Sequence, residues 1–205
     1  MEAGSLSIRR KVAREAASLL YTGVEKEFKQ AKLKAANTFN ANFLPSNLEV
    51  ALELDKIAEE REGPARKERL VRMREEALEF MKLLKAYDPL LMGSVWRGTI
   101  HYDSDIDILA YHDEPETIMN VLKQQGTTIV HAEWVSVTKK GKRKSAFHIH
   151  AESTLHEKVE VKVCSQDQAD IVERCEVYGD LILGLQPHEL EKLLKENPTK
   201  RFLPT

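Results

Sequence analysis

The sequence predicts an α+β fold, in which a small mixed sheet with flanking helices follows an N-terminal helical region. Before residue 88 the apolar residues recur at helical spacing, several later segments alternate apolar and polar residues as strands do, and the tail returns to helical spacing. We therefore expect an N-terminal helical region over 1–63, a core over 64–165 and a C-terminal helical segment over 166–205.

The N-terminal region is predicted to form two helices. Apolar residues at helical spacing predict one helical run over 12–35, which Gly23 weakens without necessarily ending it. Ser46 and Glu49 have the spacing of a capping box, so the second helix begins there and runs to about Glu60.

The core begins with a helix and continues with strands. The Gly63-Pro64 pair closes one helix and opens the next, which is expected over 65–86. The remaining expected elements are strands over 105–111, 129–138, 146–154 and 158–164, a crossover helix over 115–125 and a helical tail from about Gln166, with Pro187 opening a helix.

Composition and charge exclude several classes of protein. The chain has 205 residues, 31 of them basic and 33 acidic, and this near balance excludes a general polycation that coats nucleic acid by charge alone. Cys164 and Cys175 do not have C-x-x-C spacing, the N-terminus lacks an apolar leader, and no stretch approaches the ~18 apolar residues of a membrane span. We expect a cytoplasmic chain with no membrane partner.

Two aspartates are the first candidates for chemistry. Asp105 and Asp107 lie two residues apart on a predicted strand, so both carboxylates project from the same face. Two close anions repel each other unless a cation lies between them, and Mg²⁺ prefers such hard oxygen ligands. The alternative is a solvated face of an edge strand that carries two acids without function.

A second candidate group precedes the aspartates. Gly93 and Ser94 follow an apolar segment and come just before a turn that contains Arg97. Glycine lets a phosphate approach the backbone, a serine hydroxyl donates to it, and an arginine pairs with it. A phosphate site ahead of a metal-binding acid pair is what a nucleoside triphosphate requires, and the spacing fits neither a P-loop nor a dinucleotide fingerprint.

A third acid would complete the metal site. In K-V-E-V-K-V-C over 158–164, Glu160 and Lys162 share the face opposite the valines. If this strand lies beside the aspartate strand, Glu160 reaches the same site, and Glu157 and Glu152 are the alternatives from the same hairpin.

These motifs resemble those of the DNA polymerase beta-type nucleotidyltransferase superfamily. The order G-S-x-x-R-G-T, S-D-I-D-I and then a strand-borne acid is most similar to minimal nucleotidyltransferases and to the catalytic head of archaeal CCA-adding enzymes. The resemblance covers about residues 90–165 and implies a nucleotidyltransferase-type sheet for the core. The family's third acid is most often Asp, so Glu160 departs from the pattern.

The resemblance implies a mechanism. The catalytic acids Asp105, Asp107 and Glu160 would bind two Mg²⁺ ions, and Glu160 would help to activate the attacking hydroxyl. The Gly-Ser pair and Arg97 would hold the phosphates of an NTP, with ATP as the first candidate. A nucleoside monophosphate would pass to a hydroxyl with release of pyrophosphate.

The acceptor and the activity itself are left open by the sequence. The acceptor could be RNA, a protein hydroxyl or a small molecule, and the amphipathic N-terminal helices would suit a homo-oligomer. The alternative function is a catalytically inactive nucleotide-binding or partner-binding module of the antitoxin kind. Retention of the acids together with the Gly-Ser pair favours the enzyme, because an acid cluster without a cation is destabilising.

Other residues have competing interpretations. The basic run over 139–144 is expected at a solvated hairpin tip. His148 and His150 share a strand face, but the absence of nearby cysteines and of a clear fourth ligand disfavours a zinc site. Trp96 either packs in the core or stacks on a base, and Trp134 is expected in the core.

Overall fold

The computed structural model describes residues 2–139, 142–153 and 155–204, with side chains described over 8–136, 144–153 and 155–204. The predicted α+β class is confirmed: helices surround a five-stranded mixed sheet. Lys140 and Gly141, at the centre of the expected basic hairpin tip, lie outside the described residues. Within the described part, no helix is long and apolar enough to cross a membrane.

The N-terminal region contains three helices instead of the expected two, namely α1 (Glu2–Tyr21), α2 (Phe28–Thr38) and α3 (Asn47–Glu62). The predicted helical run over 12–35 is divided between α1 and α2. Gly23 adopts a φ of +70°, a left-handed conformation that ends a helix, and its N–H donates to the Leu20 carbonyl. The chain then turns back, and alanines bring the helices together.

The predicted cap of α3 is confirmed. The Ser46 hydroxyl accepts from the Glu49 N–H at 3.1 Å, and the Glu49 carboxylate accepts from the Ser46 N–H at 2.6 Å. Gly63 ends α3, and Pro64 opens α4 (Pro64–Leu83), as expected. The last residues of the predicted helix form a separate 3₁₀ turn instead.

The sheet is built around a parallel pair of central strands. Its elements in chain order are β1 (Leu90–Leu91), α5 (Gly93–Arg97), β2 (Ile106–Tyr111), α6 (Pro115–Gln124), β3 (Thr128–Lys139), β4 (Lys142–Glu152) and β5 (Lys158–Cys164). The strand order is β1-β2-β5-β4-β3, in which β2 and β5 are parallel and the other neighbours are antiparallel. This order puts the aspartate strand beside the strand that carries Glu160.

Two large hydrophobic clusters and one small cluster, around Tyr111, Ala146 and Cys164, form the interior of the described part. One large cluster joins α1, α2 and α3, and the second joins α4, the sheet, α6 and the last helix, α7 (Pro187–Glu196). Trp96 packs in the second cluster and stacks on Phe202 with ring centroids 6.3 Å apart. Trp134 is 59% exposed, so its predicted place in the core is wrong.

The tail is largely irregular before α7. The prediction of helix from about Gln166 is wrong between the 3₁₀ turn Gln166–Gln168 and α7, whereas the helix opened by Pro187 is confirmed. Leu185 pairs with Leu91 through two backbone hydrogen bonds of 2.9 and 3.0 Å, and Gly184 packs so closely that a β-carbon would lie 2.9 Å from the Leu91 carbonyl oxygen. These contacts fasten the segment beside β1, and the division of the chain at residues 63 and 165 stays a prediction.

Candidate active site

The parallel strands bring an aspartate and a glutamate side by side. Asp107 of β2 is in register with Glu160 of β5, and Glu160 is in register with His150 of β4. The next row on this face holds Leu109, Lys162 and His148. A polar row therefore crosses three neighbouring strands.

Asp105 precedes β2 and is positioned by arginines of α4. The Arg69 guanidinium donates to the carbonyls of His101 at 2.8 Å and Ser104 at 3.2 Å. Arg66 donates to the Ile100 carbonyl at 2.7 Å. Because these bonds hold the loop that leads into β2, they fix the direction in which Asp105 enters the site.

Gly93 makes the closest approach to the acids. It has a φ of +65°, and a β-carbon there would lie 1.8 Å from Asp107 Oδ2. The Met92 N–H donates to the Asp107 carbonyl at 2.8 Å, which joins the start of α5 to β2. Only glycine lets the backbone at residue 93 approach Asp107 so closely, and Ser94 is the next residue of α5.

Arg74 supports α5 from behind. Its fully buried guanidinium donates to the carbonyls of Val95 at 3.1 Å and Trp96 at 2.9 Å, and it also donates to two carbonyls of the C-terminal segment. Burial lowers the pKa of Arg74 to about 10. The carbonyls compensate the buried charge and anchor the helix that carries Ser94.

The electrostatics of the acid cluster are unfavourable without a cation. Burial raises the pKa of Asp107 to about 7, and the charges of Glu160 and Asp105 and a hydrogen bond with Glu160 act in the same direction. Burial also raises the pKa of Asp105, against the opposing charge of Lys158. These acids resist ionisation because they lie close together and partly out of water.

The donor set fits Mg²⁺. Among the described residues, Asp105 Oδ1 is the one buried side-chain atom without a hydrogen-bond partner. Its neighbours Asp107 and Glu160 are close enough for the three charges to affect one another. An unsatisfied carboxylate oxygen near other acids is chemically compatible with a hard divalent cation.

The alternatives for the third acid have other partners. Glu157 pairs with Arg69 at 2.7 Å, and Glu152 bonds to His156. Glu160 is the acid that the sheet register brings to Asp107.

Arg97, whose role in phosphate binding stays a prediction, is engaged by other protein groups. Its guanidinium is buried and pairs with both oxygens of Asp180, at 2.7 and 3.0 Å. It also donates to the Phe202 carbonyl at 3.1 Å and lies over the rings of Trp96 and Tyr178. Arg97 thus ties α5 to the tail, and its donors are engaged by protein rather than aimed at a phosphate.

Sequence reasoning placed Lys162 beside Glu160 and His148 beside His150, but it did not bring the two pairs together. His148 Nδ1 bonds to Glu160 Oε1, and His150 Nε2 lies 4.0 Å from the same oxygen. Lys162 is exposed and faces the same cavity. The alternation of apolar and polar residues in β4 and β5 shows which side chains share a face. Only the pairing of the two strands shows that His148 contacts Glu160.

A cavity of 250 Å³ extends from the acids along the sheet. Its lining includes Asp107, Glu160 and His148. It also includes apolar side chains of the sheet and of the irregular tail, namely Leu109, Tyr111, Ala146, Ile171 and Ile182. The cavity therefore offers both charged and apolar contacts.

Comparisons with known proteins identify a family for this chain. The family model described as a nucleotidyltransferase domain matches residues 74–182. A comparison with curated sequences finds no match. A solved structure titled as the structural basis for the activity of a cytoplasmic RNA terminal U-transferase is similar, with 13% identity and a TM-score of 0.33 over 57% of this chain and 34% of that chain. The chain thus spans about a third of that relative's length. Because the family model covers more than half of the sequence, including the acids and the Gly-Ser pair, the chain belongs to the polymerase beta-like nucleotidyltransferase family.

Proposed function

We propose that this protein transfers a nucleoside monophosphate from an NTP to an acceptor hydroxyl, with release of pyrophosphate. The observation that carries the proposal is that Gly93 packs against Asp107 while the sheet register brings Asp107 beside Glu160. Membership of the nucleotidyltransferase family supports it.

The acids have separate tasks in this proposal. Asp105, Asp107 and Glu160 hold two Mg²⁺ ions, which when bound stabilise the attacking and leaving oxygens of an in-line displacement. The Asp107 carboxylate packs against Gly93, and this contact fixes the direction of the carboxylate. Glu160 comes from the neighbouring strand and accepts the proton of the attacking hydroxyl.

Phosphate binding is assigned to the start of α5 and to one lysine. Gly93 leaves the backbone open, and Ser94 adds a hydroxyl donor next to Asp107. Lys162 replaces Arg97 in our assignment, because it is exposed and lines the acid-containing cavity whereas Arg97 is bound to Asp180. A lysine interacts with a phosphate as a mobile point charge.

The apolar side chains that line the cavity suit the base or ribose of the nucleotide. Side chains such as Leu109 and Ile182 offer apolar contact without groups that would select one base, so ATP is our first candidate rather than a requirement. The acceptor in this proposal is RNA, a protein hydroxyl or a small molecule. The unpaired thiols Cys164 and Cys175 support a reducing, cytoplasmic setting.

A second candidate function is a nucleotide-binding module without turnover. The contact between His148 and Glu160 favours it, because one oxygen of the third acid is already engaged. The two functions differ in one observable: the module binds MgATP but labels nothing.

The test is transfer of label from each of the four α-labelled NTPs, with Mg²⁺ and a total cellular extract. We expect one class of macromolecule or metabolite to become labelled by the wild-type protein, and no label with the Asp105→Asn variant. Tight MgATP binding without label in any fraction would instead support the non-catalytic module.

A further inference from the structure

A second group of ligand atoms adjoins the acid cluster. One nitrogen from each of His148 and His150 and one oxygen of Glu160 all lie within 4.8 Å of one another. In the sheet register His150 lies directly opposite Glu160, and His148 lies one row away on the same face. Neighbouring strands thus bring together three side chains that are close in space.

The chemistry of this group differs from that of the aspartates. Mg²⁺ takes oxygen ligands, whereas imidazole suits borderline cations such as Zn²⁺. Two histidines and one glutamate are a known catalytic zinc ligand set, with metal–ligand bonds of about 2.0–2.2 Å. We propose that His148, His150 and Glu160 bind one borderline divalent cation of the Zn²⁺ type.

The site is accessible and partly preorganised. The three side chains are 19%, 39% and 25% exposed, respectively, so an ion can enter and keep water on its open position. The His131 ring stacks on His150 with centroids 6.1 Å apart, which restricts the orientation of the second ligand. His156, the other histidine of this hairpin, bonds to Glu152 and takes no part.

Glu160 belongs to both groups. Both histidines approach its Oε1 atom, and a carboxylate has a second oxygen that can serve another cation. The ion at the histidines would therefore act directly on the third acid of the proposed transferase site. The proposal does not depend on turnover, because cation binding is measured on the isolated chain.

The test is a Co²⁺ titration followed by visible absorption, since Co²⁺ with few ligands absorbs far more strongly than the hydrated ion. We expect one Co²⁺ per wild-type chain, and displacement by Zn²⁺. The His148→Gln/His150→Gln variant should lose about 100-fold or more in affinity, because two of three ligands are gone. His156→Gln is the matched control on the same hairpin and should keep wild-type affinity.

A further arm separates this site from the aspartates. Asp105→Asn should keep the Co²⁺ absorption, and loss of the band in that variant would assign the ion to the acid cluster and overturn the proposal. The proposal is also wrong if the folded double-histidine variant binds Co²⁺ as the wild type does, or if the wild type binds none. Transfer of labelled nucleotide in Mg²⁺ alone is scored separately, so failure of the proposed function leaves this result intact.

Discussion

Gly93 and Asp107 lie so close that a β-carbon on residue 93 would be 1.8 Å from Asp107 Oδ2. No side chain can be added there without moving the carboxylate or the backbone. The start of α5 therefore packs directly against Asp107, although 14 positions separate Gly93 and Asp107 in the chain. Any substitution of Gly93 acts on the acid as well as on the loop.

The first prediction follows from this contact. Gly93→Ala should abolish transfer and weaken Mg²⁺ binding, because it displaces Asp107. Its left-handed φ adds a conformational cost of roughly 1–2 kcal/mol. Gly126→Ala is a matched control, since Gly126 has a φ of +78° but no atom within 4 Å of the added carbon. Urea unfolding and Mg²⁺ titration of both variants separate strain from displacement; equal Mg²⁺ affinity in both would contradict the prediction.

The second prediction concerns pH and stability without metal. The folded pKa of Asp107, about 7, lies above that of an unfolded aspartate, so the folded state binds the proton more tightly. Wild-type stability in EDTA should therefore fall as pH rises from about 4 to 7, by up to roughly 4 kcal/mol. Asp107→Asn removes this loss, so the free energy of unfolding of the variant should exceed that of the wild type by the largest amount above pH 7. Urea unfolding of both proteins at pH 5 and pH 8 measures this difference in stability. The prediction is refuted if the stability of the two proteins changes equally with pH.

The third prediction concerns addition of Mg²⁺. A cation that binds only the folded state stabilises it in proportion to its occupancy. Mg²⁺ binds the ionised carboxylates, so Tm should rise with Mg²⁺ at pH 8 and rise less at pH 6, where Asp107 holds its proton. Asp105→Asn should reduce the shift at pH 8. An equal shift at both pH values would show that Mg²⁺ binds elsewhere.

The fourth prediction separates two cations. Lys162→Met should raise KM for the NTP about 10-fold or more and leave the unfolding free energy nearly unchanged, because the side chain is exposed. Arg97→Met should do the reverse: it leaves Asp180 without its partner and destabilises the fold by about 3–5 kcal/mol. Steady-state kinetics and urea unfolding of both variants test this pair. A large KM effect of Arg97→Met in folded protein would restore its predicted phosphate role.

The sequence predicted those elements whose ends are determined by residues near to each other in the chain. Ser46 and Glu49 cap α3 through bonds that span three residues, and alternating valines define β5 over 158–164. The acids Asp105 and Asp107 were predicted to share a face because a strand places residues two apart on the same side. In these cases the residues that determine the structure are adjacent in the sequence.

The contacts that the sequence did not predict concern residues whose partners are distant. Arg97 precedes a glycine in a phosphate-like motif, yet its partner Asp180 lies 83 residues later. Apolar residues such as Ile171 and Leu183 resemble a helical stripe, but they are half exposed or more, and tertiary contacts hold the segment in an irregular path. His148 meets Glu160 only because β4 and β5 pair.

The last prediction concerns the third acid. Glu160→Gln keeps the size of the side chain and removes its charge, so it should cut single-turnover transfer about 10²-fold or more and weaken Mg²⁺ binding. MgATP binding should fall less, because Gly93, Ser94 and Lys162 are intact. Relief of repulsion should also lower the pKa of Asp107, since Glu160 raises it.

Two glutamates of the same hairpin are the controls for this variant. Glu152→Gln breaks only the exposed contact with His156, so transfer should continue at the wild-type rate. Glu157→Gln leaves Arg69 without its carboxylate partner and should lower stability more than the chemical rate, since Arg69 keeps its bonds to the carbonyls of the loop before Asp105. A slow chemical step in a folded Glu157→Gln protein, together with an unchanged rate in Glu160→Gln, would transfer the third-acid role to Glu157. Single-turnover rates measured at saturating MgATP, where weak nucleotide binding cannot limit the reaction, distinguish these outcomes.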